Sequence, residues 1–216
     1  FAYPMRLHQP LDDVLDRESK IRILRFFCRK GGEWNGRRVA AELAMNPVTT
    51  HKALRELHQA TILDFRKVGS NFIYSLRDSH YLVQKLLRPL FQHEAGAQER
   101  LVQLLRQGFG ARLWSEIVTV AIYGSVARRQ ERPTSDIDLL VLIKSEEAKR
   151  DVRQALDRLW EAVTNEFGNS LAPYVNTVRE ARQKHQRRLS VMRNILHQHQ
   201  VVWGTPLEAI LHVPPT

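Results

Sequence analysis

The stretch YGSVARRQERPTSDIDLLVLI, residues 123–143, carries a Gly-Ser pair, a hydrophilic basic loop, and two aspartates one residue apart at the head of an apolar run. The apolar segment leading into it, IVTVAIY (117–123), reads as one strand, and DLLVLI (138–143) reads as a second. On a strand, positions i and i+2 share a face, so Asp136 and Asp138 point together while Ile137 and Leu139 point into the core. Glycine lets a backbone approach a ligand closely, and a helix beginning at Gly124-Ser125 offers unpaired N–H groups to phosphate. Two carboxylates beside such a turn form the kind of donor set that holds Mg²⁺ against nucleotide phosphates.

The sequence after this stretch keeps an α/β rhythm. EEAKRDVRQALDRLWEAVTNEF (146–167) is a helix that turns Val152, Leu156, Leu159 and Val163 inward. LAPYVNTV (171–178) is a third strand, residues 179–199 form a basic helix, and VVWGTPLEAIL (201–211) closes the chain with strand and helix.

Residues 16–77 have a different pattern: three helices and then a hairpin. Asp16 caps a first helix with Ile21, Leu24, Phe27 and Cys28 on one face, ended by Gly31-Gly32. A short second helix lies in GRRVAAELAM (36–45), burying Val39, Ala40 and Leu43. In NPVTTHKALRELHQATIL (46–63), Asn46 is an N-cap and Pro47 occupies the first turn, where its missing N–H is harmless. Ala53, Leu54 and Leu57 then face inward, leaving Thr49, Thr50, His51, Lys52 and Arg55 on the outer side. ILDFRKV (62–68) and NFIYSL (71–76) join through Gly69-Ser70-Asn71, a hairpin signal. Residues 79–108 are helical, with Pro89 and Gly96 as interruptions and a leucine stripe that reads as packing, with a dimerisation helix as one use for it.

The chain has 216 residues, 33 Lys and Arg against 23 Asp and Glu, and a formal net charge of +10. Residues 1–80 hold 14 basic and 9 acidic side chains, a net of +5, so the remainder also carries +5. Basicity in both halves points to polyanion partners. From residue 35 to 77 the balance is seven basic to three acidic. A single cysteine, Cys28, excludes an internal disulfide and suits a reducing cytoplasm, the expected location. No apolar run approaches the roughly 18 residues of a membrane span, so no membrane partner is expected. No HExxH, Cys/His cluster, G-x-S-x-G or Walker A pattern occurs.

The passage from TTHKALRELHQATIL (49–63) into FRKVGSNFIYSL (65–76) resembles a winged helix-turn-helix domain of bacterial and archaeal transcription regulators. That resemblance implies double-stranded DNA as partner. Thr49, Thr50, His51, Lys52 and Arg55 would lie at the major groove, with Arg66, Lys67 and the wing tip on the phosphate backbone or in the minor groove. It also implies a homodimer. A winged helix used only for protein contact is the alternative.

Gly124-Ser125, ten residues, and then Asp136-x-Asp138 resemble the minimal branch of the DNA polymerase β nucleotidyltransferase superfamily. By that resemblance Gly124, Ser125 and Arg128 bind the triphosphate of ATP or another nucleoside triphosphate. Asp136 and Asp138, as catalytic and metal-holding carboxylates, take Mg²⁺ or Mn²⁺. The family usually adds a third carboxylate on a neighbouring strand; LAPYVNTV has Asn176 instead, and Glu180 lies just beyond it.

The expected fold is therefore α+β in two domains. A winged helix-turn-helix spans residues 1–78, a helical linker 79–112, and a nucleotidyltransferase-like mixed sheet with flanking helices 113–216. Three functions follow from it. One is a DNA-binding regulator carrying a Mg-nucleotide domain. Another is an active enzyme that moves AMP from ATP to a protein partner, as an antitoxin does to its toxin. The third, ranked last because the C-terminal half is basic, is an aminoglycoside-type small-molecule transferase.

Overall fold

A computed structural model describes residues 5–69 and 71–212, so Ser70 at the expected wing tip lies outside the described residues. The chain divides into two compact units, residues 1–97 and 98–216.

The first unit runs α1 (Glu18–Lys30), β1 (Trp34–Asn35), α2 (Gly36–Glu42), α3 (Pro47–Gln59), β2 (Leu63–Val68) and β3 (Asn71–Leu76). A π-helical turn (Val83–Leu87) then leads directly into α4 (Arg88–Ala95). The Asn46 side chain caps α3, accepting from the Val48 N–H at 2.8 Å, with Pro47 in the first turn. Asn35 does the same for α2, accepting from the Arg38 N–H at 2.8 Å. The expected Asp16 cap is not formed: Arg17 occupies the cap position of α1, and Asp16 instead faces Lys20 at 3.0 Å. A buried ammonium requires that arrangement. Lys20 is only 5 % exposed, donates to the Asp13 carbonyl at 2.7 Å, and reaches Glu56 of α3 at 3.2 Å.

Strand order is β1-β3-β2, antiparallel throughout, with Trp34 opposite Tyr74 and Phe65 opposite Tyr74 on the other side. Ile23, Leu24, Phe27, Leu54, Leu57 and Ile62 make the centre of this core, and Leu82, Leu87 and Phe91 close it from below. Cys28 packs at the edge of that core, half-buried, and burial pushes its thiol up to about 11, which keeps it an inert neutral group. The stretch read as a linker is thus shared. Its first part packs on the first unit, and its second forms α5 (Ala97–Trp114) of the second unit, bent at Gly110.

The second unit continues with β4 (Ile117–Tyr123), α6 (Gly124–Ala127), β5 (Ile137–Ile143), α7 (Ala148–Phe167) and β6 (Leu171–Thr177). It ends with α8 (Val178–Gln186), α9 (Ser190–His197), β7 (His199–Gly204) and α10 (Leu207–Leu211). The mixed sheet has order β6-β5-β4-β7, with β5 and β6 parallel and the other pairs antiparallel. Residues 179–199, expected as one helix, form two helices and the first residue of β7. The break falls at Arg187–Leu189, where Arg188 takes a left-handed conformation.

Both faces of the sheet are covered. Ile137, Leu139 and Val141 pack with α5 and α7 on one side, while Leu140 and Leu142 meet Ala181, Met192, Ile195 and Ile210 on the other. The run after Asp138 is apolar at every position for this reason: a strand buried on two faces does not alternate. Each of these side chains is worth about 1.5–3 kcal/mol of burial.

Gly204 ends β7 opposite Thr119 of β4, two residues beyond the irregularity at Val202, with φ of +93°. A Cβ there would overlap the Val118 carbonyl oxygen and the Thr119 Cα. Gly204→Ala is expected to destabilise the second unit by at least about 2 kcal/mol, read as a lower midpoint in urea at unchanged slope.

Candidate functional site

The chain leaves β4 at Tyr123, turns at Gly124 with φ of +72°, and enters the short helix α6. Antiparallel pairing sets Tyr123 opposite Asp138. As a result the Asp138 carboxylate occupies the space a side chain on residue 124 would need: a Cβ on Gly124 would overlap Asp138 Oδ2. Glycine is required here twice, by backbone conformation and by contact. Ser125 is half-buried in the first turn of α6, and Arg128 is the exposed residue that ends it.

Asp136 stands exposed just before β5, and Asp138 is half-buried on its second residue. The loop that delivers them is tied down at its end. Ser135 Oγ accepts from the Arg132 N–H at 2.9 Å, the Asn169 amide donates to the Ser135 carbonyl at 3.0 Å, and the Ile137 N–H donates to the Ser170 carbonyl at 2.8 Å. Asn169 and Ser170 were not singled out in the sequence. Their signal was the glycine before them: Gly168 ends α7 in a left-handed conformation and sets the loop to β6 beside the aspartates.

Burial and the neighbouring Asp136 carboxylate raise Asp138 above the usual carboxylate range, and Arg128 partly opposes them. Burial, and then Asp138 itself, push the Tyr123 phenol up to about 12, so it stays neutral beside the acids. Such a pair of carboxylates is short of positive charge. Among the described residues no group of three or more His, Cys, Asp and Glu side chains gathers as a metal-ligand set. Two carboxylates are hard oxygen donors, and together with phosphate oxygens and water they would suit Mg²⁺.

The two substitutes considered for a third carboxylate lie elsewhere. In the β5–β6 register Asp138 stands beside Ala172, whereas Asn176 stands beside Leu142, four residues or about 13 Å further along the strand. Asn176 is 1 % exposed, its carbonyl oxygen accepts from the Lys184 ammonium, and its amide nitrogen has no partner. Glu180 is engaged in a capping box with Thr177 and in an ion pair with Lys149 at 3.0 Å. Burial acts to raise its carboxyl, but the Thr177 N–H and Lys149 outweigh it and hold Glu180 below the usual range.

On the first unit the candidate contact residues separate. Thr49, Lys52 and Arg55 are exposed on α3, and Arg66 and Lys67 are exposed on β2. Thr50 is not on that face: it is fully buried, and its hydroxyl donates to the Asn46 carbonyl at 3.0 Å. His51 is half-buried against Gly36, where an added Cβ would run into its ring. Arg66 is paired with Glu33.

Removing the Asp138 charge is expected to stabilise the fold. In a metal-free buffer at pH 7, Asp138→Asn should melt above the unaltered protein. The folded-state pKa of Asp138 is raised, so its penalty is complete at neutral pH and fades as pH falls through that pKa. The gap in melting temperature should narrow accordingly on acidification; a gap that is constant or reversed would contradict the electrostatic reading.

No curated protein sequence matches the chain. Among solved structures, the AntR antimony-specific transcriptional repressor is 24 % identical over 41 % of this chain and 78 % of its own, with a TM-score of 0.36. Residues 1–100 of a "possible transcriptional regulatory protein" from Mycobacterium bovis are 19 % identical over 44 % of this chain and 99 % of that fragment, with a TM-score of 0.31. A toxin-antitoxin structure with AMP-PNP is 16 % identical over 54 % of this chain and 82 % of that one, with a TM-score of 0.34. At the level of sequence families, residues 111–171, from the end of α5 through the Gly-Ser turn and both aspartates to the first residue of β6, match the family described as polymerase beta, nucleotidyltransferase, and over that stretch the second unit is similar to its nucleotidyltransferase domain.

Proposed function

We propose that the protein is a DNA-binding transcription regulator whose second unit binds a nucleoside triphosphate with Mg²⁺. The observation that carries the nucleotide half is the packing of Asp138 into the space left by Gly124, which puts a carboxylate against the glycine turn that opens α6. Asp136 and Asp138 would hold the metal, Gly124 and Ser125 would bring the backbone to the phosphates, and Arg128 would offset their charge. A bound Mg²⁺ would supply charge neutralisation at the phosphates. β6, the strand beside Asp138, carries no acidic residue to accept a proton from an attacking hydroxyl. Binding is therefore favoured over turnover.

The DNA half rests on the order of three helices and a hairpin, read as a winged helix-turn-helix, and on the exposed cations Lys52, Arg55 and Lys67. Transfer of AMP to a protein partner is the second reading, favoured by the family match over residues 111–171.

Calorimetric titration with ATP should detect binding that requires Mg²⁺ and weakens at least about tenfold in Asp136→Asn, the loss of one charged ligand worth ~1.4 kcal/mol. Absence of Mg²⁺-dependent binding would end the nucleotide reading. Labelled ATP leaving no covalent label on the protein or on a co-purified partner is the expected outcome for a binding domain, and stable label transfer would establish the second reading. On duplex DNA, Arg55→Ala should weaken binding across all sequences and lower the salt slope by about 0.9. An unchanged slope would remove α3 from the interface.

A further inference from the structure

The hairpin of the first unit carries a ladder of rings that runs outward from the core. Tyr74 is 6 % exposed at its inner end; Phe65 (40 %) and Phe72 (44 %) are open to solvent. Phe65 lies 5.5 Å from Tyr74, 5.1 Å from Phe72 and 5.2 Å from the His58 ring of α3, measured between ring centroids. The strand register puts Lys67 opposite Phe72, on the same face as the rings. On α3, Arg55 lies three residues before His58 and so shares the helix side whose ring meets Phe65. Lys67 and Arg55 thus flank the exposed rings.

Those cations are free to meet a polyanion. Between residues 35 and 77 the acids are all engaged: Glu42 with Lys30, Glu56 with Lys20, and Asp64 with Arg77. Lys52, Arg55 and Lys67 have no carboxylate partner among the described residues. Exposed phenylalanines give nothing to a closed duplex, where each base face is covered by its neighbour. A second copy fits poorly as well, because it would set two faces of the same positive sign against each other. Unpaired bases have open π-faces and come with phosphates, which is the complement of this surface.

We propose that the face formed by Phe65 and Phe72, flanked by Arg55 and Lys67, is a stacking platform for unpaired bases of a single-stranded nucleic acid. The proposal rests on the reading of the first unit as a nucleic-acid-binding domain and adds a second mode to it. Bases stack on Phe72 and Phe65, while the backbone runs past Arg55 and Lys67.

Fluorescence anisotropy of the full chain with labelled oligothymidylate and oligouridylate of about 15 nucleotides, and with a duplex of the same length, tests it. Both single strands are expected to bind if phosphate and base face suffice; preference for one of them would identify DNA or RNA as the source. Phe72→Ala should weaken single-strand binding about 5- to 100-fold, the loss of one stacked base, and leave duplex binding unchanged. Phe72→Leu, which keeps apolar bulk without a ring, should fail as Phe72→Ala does. Single-strand affinity insensitive to both variants would overturn the proposal. So would a Phe72→Ala variant that sediments as a smaller species with unchanged strand affinity, which would mark the face as a contact between copies. Duplex binding is scored separately through Arg55→Ala: its absence alongside Phe72-dependent strand binding would fell the regulator reading and leave the platform standing.

Discussion

Everything at the head of β5 depends on the contact between a missing side chain and a carboxylate. Gly124 has no Cβ, and Asp138 fills that space. The antiparallel register that sets Tyr123 opposite Asp138 makes the contact unavoidable, and the positive φ at Gly124 lets the chain fold back over the strand it has just paired with. The strand is paired on both edges and covered on both faces from Ile137 onward, so its polar end is the one place where it can present charge. A raised Asp138 is the cost of putting that charge there, and a folded protein tolerates it because the rest of the strand is so thoroughly buried.

The first unit handles charge in the opposite way. Its acids are distributed to neutralise particular cations, most tightly at Lys20, where an ammonium inside the fold ties α1 to α3 through Glu56. Among the described residues the cations left without a carboxylate partner are Arg37 and Arg38 on α2, Lys52 and Arg55 on α3, Lys67 on the hairpin and Lys85 in the π-helical turn. The net positive charge of this unit is what internal pairing leaves over.

What could be read from the sequence was local. Asn46-Pro47 starts α3 because the cap and the ring act within one turn, and the Gly-Ser turn meets Asp138 because the residue before Gly124 pairs with Asp138 across β4 and β5. Thr50 was also a local matter: it precedes Ala53 and Leu54 by three and four residues, shares their inward face, and donates to the Asn46 carbonyl one turn back. Non-local facts were not legible. Asn176 looks like the counterpart of a catalytic acid until strand register sets it beside Leu142. The break between α8 and α9 has neither glycine nor proline to announce it; a left-handed arginine makes the turn, held by what packs on either side.

Strand register has one further consequence. The residue beside Asp138 on β6 is Ala172, a single methyl group on the neighbouring strand. An alanine codon becomes an aspartate or glutamate codon by one base change. A two-carboxylate domain and a three-carboxylate domain are thus adjacent in sequence space at this position. Ala172 belongs to neither hydrophobic layer of the sheet, so an acid could be gained or lost there without rebuilding the core.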